Sequence, residues 1–152
     1  MISRVLRWLA LVALSTLLAA CSLPTGTRSP GELGRLFTST VPGTWSCQVK
    51  RDGIDSRMIK QFNPDGSARG VHLIKKKTNG VSFVLPEIPF TSRWRVVGDV
   101  VETYDIKTRA SGLYKPGDVI RDTLLSVSTD RIVSRSIDTG RIEILTRLKS
   151  ER

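Results

Sequence analysis

Few side chains in this 152-residue chain are suited to covalent or metal chemistry: it carries one histidine, His72, and two cysteines, Cys21 and Cys47. A thiol nucleophile needs a positioned base, and Cys47 with His72 is the thiol–imidazole combination the residues offer. Cys47 shares a strand parity with Trp45 and Val49, alternating with Ser46, Gln48 and Lys50. That pattern reads as a small buried hydrophobe, not a reactive thiol. A single histidine excludes a multi-histidine metal site, and no zinc-type spacing or glycine-rich phosphate loop occurs. The carboxylates are scattered: Asp65, Asp99, Asp130 and Asp138 fall in turn sequences, where they satisfy local backbone groups. Glu102 shares the parity of Val100, Tyr104 and Ile106; inside a barrel it would have to be paired or protonated. A bulge that turns it outward is the favoured reading. These residues predict a non-catalytic protein with no metal and no cofactor.

The elements that would position them are almost all strands. From Gly43 onward the apolar residues alternate, with turn residues at regular intervals. Asn63-Pro64-Asp65-Gly66 is a turn sequence and Asn79-Gly80 a two-residue hairpin signal. Expected strands run over Trp45–Val49, Arg57–Phe62, Ala68–Lys76, Val81–Leu85, Phe90–Val96, Val100–Thr108, Val119–Val127, Arg131–Ile137 and Ile142–Leu148. Pro86 and Pro89 are expected to interrupt the ladder, since neither can donate. In the last strand Ile142, Ile144, Thr146 and Leu148 share one face, with Arg147 on the other. Short connections impose antiparallel neighbours. About eight or nine such strands form an up-and-down meander that closes into a barrel and removes its edges. A two-sheet sandwich fits the same periodicity, but the succession of hairpins favours the barrel. One short helix of about two turns precedes the strands: Ser29 as N-cap, Pro30 at N1, Glu32 at N3, Leu33, Leu36 and Phe37 on its apolar face, and Val41-Pro42 as its stop.

Before the helix, Arg4 and Arg7 precede an apolar run from Trp8 to Ala20, broken only by Ser15 and Thr16. This is shorter than the ~20 residues of a membrane span and has the form of a secretory leader. Its end, Leu18-Ala19-Ala20-Cys21, resembles the bacterial lipobox at all four positions. The resemblance implies cleavage before Cys21, lipid attachment to that cysteine and, with Ser22 following it, an outer-membrane destination. The domain organisation is then a leader at 1–20, a lipidated tether at 21–29 and a β-barrel domain at 30–152. Acyl chains contribute ~0.8 kcal/mol per buried methylene, so several of them anchor a protein stably.

A short helix followed by Gly43-Thr44-Trp45 at the head of a meander resembles the lipocalin-like barrels. That likeness implies a tryptophan plugging one end of the barrel, here Trp45, and a basic residue from the last strand packed over it, here Arg147.

The formal charge of +10, from 24 basic and 14 acidic residues, has few destinations in an exported protein. Export leaves nucleic acid out, and anionic envelope lipid or peptidoglycan is the fitting counterpart. Lys75, Lys76 and Lys77, with Arg93 and Arg95, are the expected contacts; a solvated hairpin tip is the plainer reading of the lysine run. Trp45, Phe83, Trp94 and Tyr104 are the expected inner-face residues, forming a ligand pocket or simply the core. The expected function is an outer-membrane lipoprotein that binds a small apolar ligand or an anionic envelope component in or on its barrel. An accessory subunit of an envelope assembly or secretion complex is the alternative. Inhibition of a basic lysozyme is disfavoured by like charge.

Overall fold

A computed structural model describes residues 29–51, 54–110 and 114–149. The leader, Cys21 and the tether as far as residue 28 lie outside the described residues. Helix α1 (Glu32–Thr40) is followed by nine strands: β1 (Gly43–Arg51), β2 (Ile54–Phe62), β3 (Ser67–Thr78), β4 (Val81–Val84), β5 (Ile88–Val97), β6 (Val100–Thr108), β7 (Ile120–Val127), β8 (Arg131–Ser136) and β9 (Ile142–Arg147). All pairings are antiparallel. Strands β1, β2, β3, β5, β6, β7, β8 and β9 form a closed ring, sealed where Trp45, Ser46 and Cys47 face Arg147, Thr146 and Leu145. The described residues form a closed eight-stranded antiparallel barrel with one extra strand and one short helix. Strand β4 is the extra one: it pairs with the end of β3 beyond the ring, after a turn in which Asn79 (φ 50°) and Gly80 (φ 81°) both take positive φ, as a type I′ hairpin requires.

Helix α1 closes one end. Leu33, Phe37 and Val41 are buried there with Trp45, Phe62, Trp94, Val101, Leu124, Ile132 and Leu145. Phe37, Phe62 and Trp94 meet edge to face in pairs, with centroids 5.7–6.0 Å apart, a geometry that adds ~0.5–1.5 kcal/mol per pair beyond burial. An eight-stranded barrel is just wide enough for its own side chains to fill, and side chains fill most of this half.

Four local details differ from the sequence-based expectation. The helix starts later than Ser29 implies: Gly31 is the N-cap, in the left-handed region at φ 76°. The backbone N–H groups of Gly31 and Gly34 donate to the Asp99 carboxylate at 3.1 and 3.0 Å. A turn aspartate from the β5–β6 hairpin thus caps the helix in place of the serine hydroxyl, while Glu32 does accept from the Ser29 N–H at 3.1 Å. Pro86 interrupts the ladder, but Pro89 is the second residue of β5 and faces Val71. It is tolerated because β6 pairs with β5 only from Phe90 onward. In β6 Glu102 does point outward, as favoured, but with no bulge at that position: Val101 and Thr103 point inward on either side of it. A bulge then sets Asp105 (φ 50°) and Ile106 against Ser92, and the extra residue brings Ile106 to the inner face. Finally, β9 is reversed relative to its apolar face: Leu145 is buried, whereas Ile142 and Ile144 are exposed on the outside.

Candidate functional site

Among the described residues no element covers the other end of the barrel. Its inner-face positions hold a cavity of about 170 Å³, bounded by Cys47 on β1, Ser56, Met58 and Lys60 on β2, His72 on β3, Phe90 and Ser92 on β5, Thr103 and Ile106 on β6, Asp122 on β7 and Glu143 on β9. Tyr114, in the β6–β7 connection, and Ile120 complete the wall. A narrower extension of about 50 Å³ runs from Lys60, Asp122 and Glu143 toward Phe37 and Ile132.

Each of these polar groups arrives by strand parity. Lys60 is two residues from the buried Phe62, Asp122 two from Leu124, and Glu143 two from Leu145. In a pleated strand such neighbours share a face, so the ring that buries the apolar residues also carries the charged ones inward. A lysine is rarely this buried: Lys60 is only 6% exposed. Its ammonium donates to the Thr103 hydroxyl at 3.3 Å and lies 4.5 Å from the centre of the Phe62 ring. Burial pulls its pKa down to about 8, opposed by the charges of Asp122 and Glu143. Asp122 is pushed up to about 6, first by burial and then by Glu143, with Lys60 opposing. Asp122 Oδ1 and Ser92 Oγ are buried without a hydrogen-bond partner among the described residues.

At the mouth, Tyr114 Oη lies 3.3 Å from His72 Nε2, and the His72 ring packs 4.9 Å from Phe90. Burial, with Lys60 second, lowers the His72 pKa and keeps the ring neutral at pH 7. Cys47 is free and buried; its thiol is pushed up to about 11 by burial and by nearby carboxylates. It stays protonated at neutral pH and is no nucleophile there. Among the described residues no cluster of His, Cys, Asp and Glu is arranged to hold a metal ion. The cavity thus brings together one ammonium (Lys60), two carboxyl groups (Asp122, Glu143), the His72 ring and the hydroxyls of Ser56, Ser92, Thr103 and Tyr114.

Of the four aromatic residues expected to form a pocket or simply the core, Trp45 and Trp94 are core, and none of the four bounds this cavity. Trp45 is fully buried and Trp94 nearly so, both in the filled end. Trp45 Nε1 donates to Val41 O at 2.7 Å, and Trp94 Nε1 to Ser67 O at 3.1 Å. Phe83 is half exposed on β4, outside the ring. Tyr104 lies on the outer face, where the Arg95 guanidinium packs 5.2 Å from its ring centre. The basic residues do not form one patch either. Lys75, Lys76 and Lys77 project with the β3–β4 hairpin at the open end, while Arg93 faces Ser67 toward the closed end. Arg95 is held by Glu102 at 2.7 Å, and Arg121 holds the same carboxylate at 3.1 Å. The two guanidinium groups keep the Glu102 pKa below its ordinary value. Cys21, the expected position of lipid attachment, lies outside the described residues.

Lys60, Asp122 and Glu143 were the residues that sequence reasoning missed, and their signal was a charged residue on the parity of buried apolar neighbours. No family model matches the chain, and no curated protein matches it.

Proposed function

We propose that this chain is a non-catalytic, membrane-anchored binding protein, lipidated at Cys21 and directed to the outer membrane, whose barrel takes the polar head of a small amphiphile. The observation that carries the reading is the cavity in which the Lys60 ammonium stands with Asp122 Oδ1 and Ser92 Oγ, both without a hydrogen-bond partner among the described residues. Buried polar groups are normally satisfied, so the matching ligand brings an acceptor for Lys60 and a donor for Asp122, as a hydroxyl or amide group does. Size points the same way. About 170 Å³ is below the ~300–1,000 Å³ of sites that enclose a drug-sized molecule. The head is enclosed and the remainder leaves through the mouth. The ligand is therefore amphiphilic, not wholly apolar. The packing of Arg147 over Trp45 at the closed end supports the lipocalin-like reading of the barrel.

Native mass spectrometry of the chain from Ser22 to Arg152, exported without lipid, tests the binding. The expected result is an added mass that disappears on denaturation and is absent from the Lys60→Met variant. A bare polypeptide mass from the unaltered chain, or an adduct that Lys60→Met retains, would sink the cavity reading. The anchor has its own test: Cys21→Ser is expected to leave the membrane fraction, and unchanged fractionation and processing would overturn it.

A further inference from the structure

Among the described strands, β4 is the one that lies outside the closed ring. The β3–β4 hairpin projects from the open end, and β4 has no neighbour on its far side among the described residues. Its exposed residues are apolar to an unusual degree: Val81 is 55% exposed, Phe83 50%, Val84 73% and, just beyond, Leu85 41%. Residues directly opposite in an antiparallel pair lie on the same face. Lys76 faces Phe83 and Thr78 faces Val81 on the side that continues the barrel's inner wall; Lys75 faces Val84 and Lys77 faces Ser82 on the other. Apolar side chains therefore emerge on both faces of the hairpin, each face also carrying a lysine. Asp55 and Glu87 are the nearest acidic residues in the sequence and ladder, so cations prevail in this segment.

We propose that this hairpin is a wedge that docks into the surface of a bilayer containing anionic phospholipid, with the cavity mouth turned toward the membrane. Two-sided apolarity favours a bilayer over a folded partner, because a partner surface covers one face of a ribbon and leaves the other in water. Lysine completes the match: its methylene stem lies along apolar surface while the ammonium reaches the phosphates, and each such residue adds ~1 kcal/mol near an anionic leaflet. The mouth and the hairpin share one end, so a membrane amphiphile reaches the cavity without crossing water. The docking depends neither on a ligand in the cavity nor on lipid at Cys21.

The test uses the chain from Ser22 to Arg152, unlipidated, which retains the whole ring and every buried core residue. Flotation with phosphatidylglycerol-containing vesicles is expected to recover the protein, and phosphatidylcholine vesicles are expected to leave it behind. Replacing Lys75, Lys76 and Lys77 together by Gln should weaken partitioning about a hundredfold. Phe83→Ser should weaken it at unchanged charge, and Phe83→Trp should add a component whose emission shifts to the blue with anionic vesicles only. Equal recovery with both vesicle types, or Phe83→Trp emission that ignores them, would overturn the wedge. So would a soluble dimer that dissociates on Val84→Lys, since β4 would then pair with a second copy.

Discussion

The guanidinium of Arg147 lies 4.3 Å from the centre of the Trp45 ring, its strand partner across the seam that closes the barrel. The same group donates to the carbonyls of Thr40, Pro42 and Thr129. One side chain thus joins the end of α1, the head of β1 and the β7–β8 turn. Gly43 makes room for it: a Cβ there would stand 2.6 Å from Arg147 Nη1.

Arg147→Lys keeps the charge but loses the planar fork that serves three carbonyls and stacks on the indole. Hydrogen bonds to charged groups contribute ~1.5–3 kcal/mol, and the expected destabilisation is about 2–3 kcal/mol. Urea unfolding measures it, and Trp45 emission should shift to the red as the seam admits water. A change below about 0.5 kcal/mol would show that the arginine is an ornament of the closed end and not its clasp.

The seating of the helix gives a second prediction. A Cβ on Gly34 would come 1.9 Å from Gly98 O and 2.6 Å from Val96 Cγ1, so α1 rests directly on the β5–β6 hairpin. Gly34→Ala, which favours an isolated helix by roughly 1 kcal/mol, should here destabilise the protein by about 1–3 kcal/mol through overpacking. Asp99→Ala removes the acceptor of two helix N–H groups and should cost about 1 kcal/mol. Thermal unfolding of both variants checks the seat; a stabilised Gly34→Ala would mean that the helix does not dock there.

The strands were legible because alternation and turn residues are local signals: Asn63-Pro64-Asp65-Gly66 and Asn79-Gly80 stand where the chain turns. Register was less legible. The β6 bulge adds a single residue, and that residue separates Ile106, which lines the cavity, from Tyr104, which lies outside. In β9 the more apolar parity is the outer one, and hydropathy alone chooses the wrong face. Aromatic character pointed to Trp45 and Trp94, but burial at the filled end claims both. The cavity residues were hidden because a lone lysine on a strand is normally a surface residue, and the shared parity of Lys60 with the buried Phe62 was the one local sign that it faces inward.

Lys60 should be costly to the fold and necessary to binding. Its pKa is lowered to about 8 although Asp122 and Glu143 oppose the shift, so burial outweighs their attraction and the folded state holds the ammonium at a net cost. Lys60→Met is therefore expected to raise stability at pH 7 by about 1–3 kcal/mol while abolishing the ligand adduct. It should also move Asp122 above about 6, because Lys60 is the group that holds that pKa down. Urea unfolding and carboxyl-resolved NMR titration read the two effects. A destabilised variant with Asp122 unmoved would place the lysine outside the cavity's electrostatics.

Asp122 gives the molecule a pH dependence opposite to that of an ordinary surface aspartate. Its folded pKa is raised to about 6, whereas an unfolded aspartate titrates near ~3.9, so the folded state holds the proton more tightly. The stability linked to that proton is complete below about pH 4 and is lost as pH rises through about 6. His72 acts in the other sense. Its pKa is lowered by burial and by Lys60, so its contribution is complete above ~6.5 and is lost as pH falls through the folded value. Glu143 and Asp138 also raise Asp122, and the profile of the unaltered protein sums all these groups. Asp122→Asn isolates one of them, keeping shape and removing the titration. Between about pH 4 and pH 8, the unaltered protein should lose urea resistance relative to Asp122→Asn as pH rises. A difference that stays constant with pH would mean that Asp122 is ordinarily acidic, and a ligand donor would then meet an almost fully ionised carboxylate from about pH 6 upward.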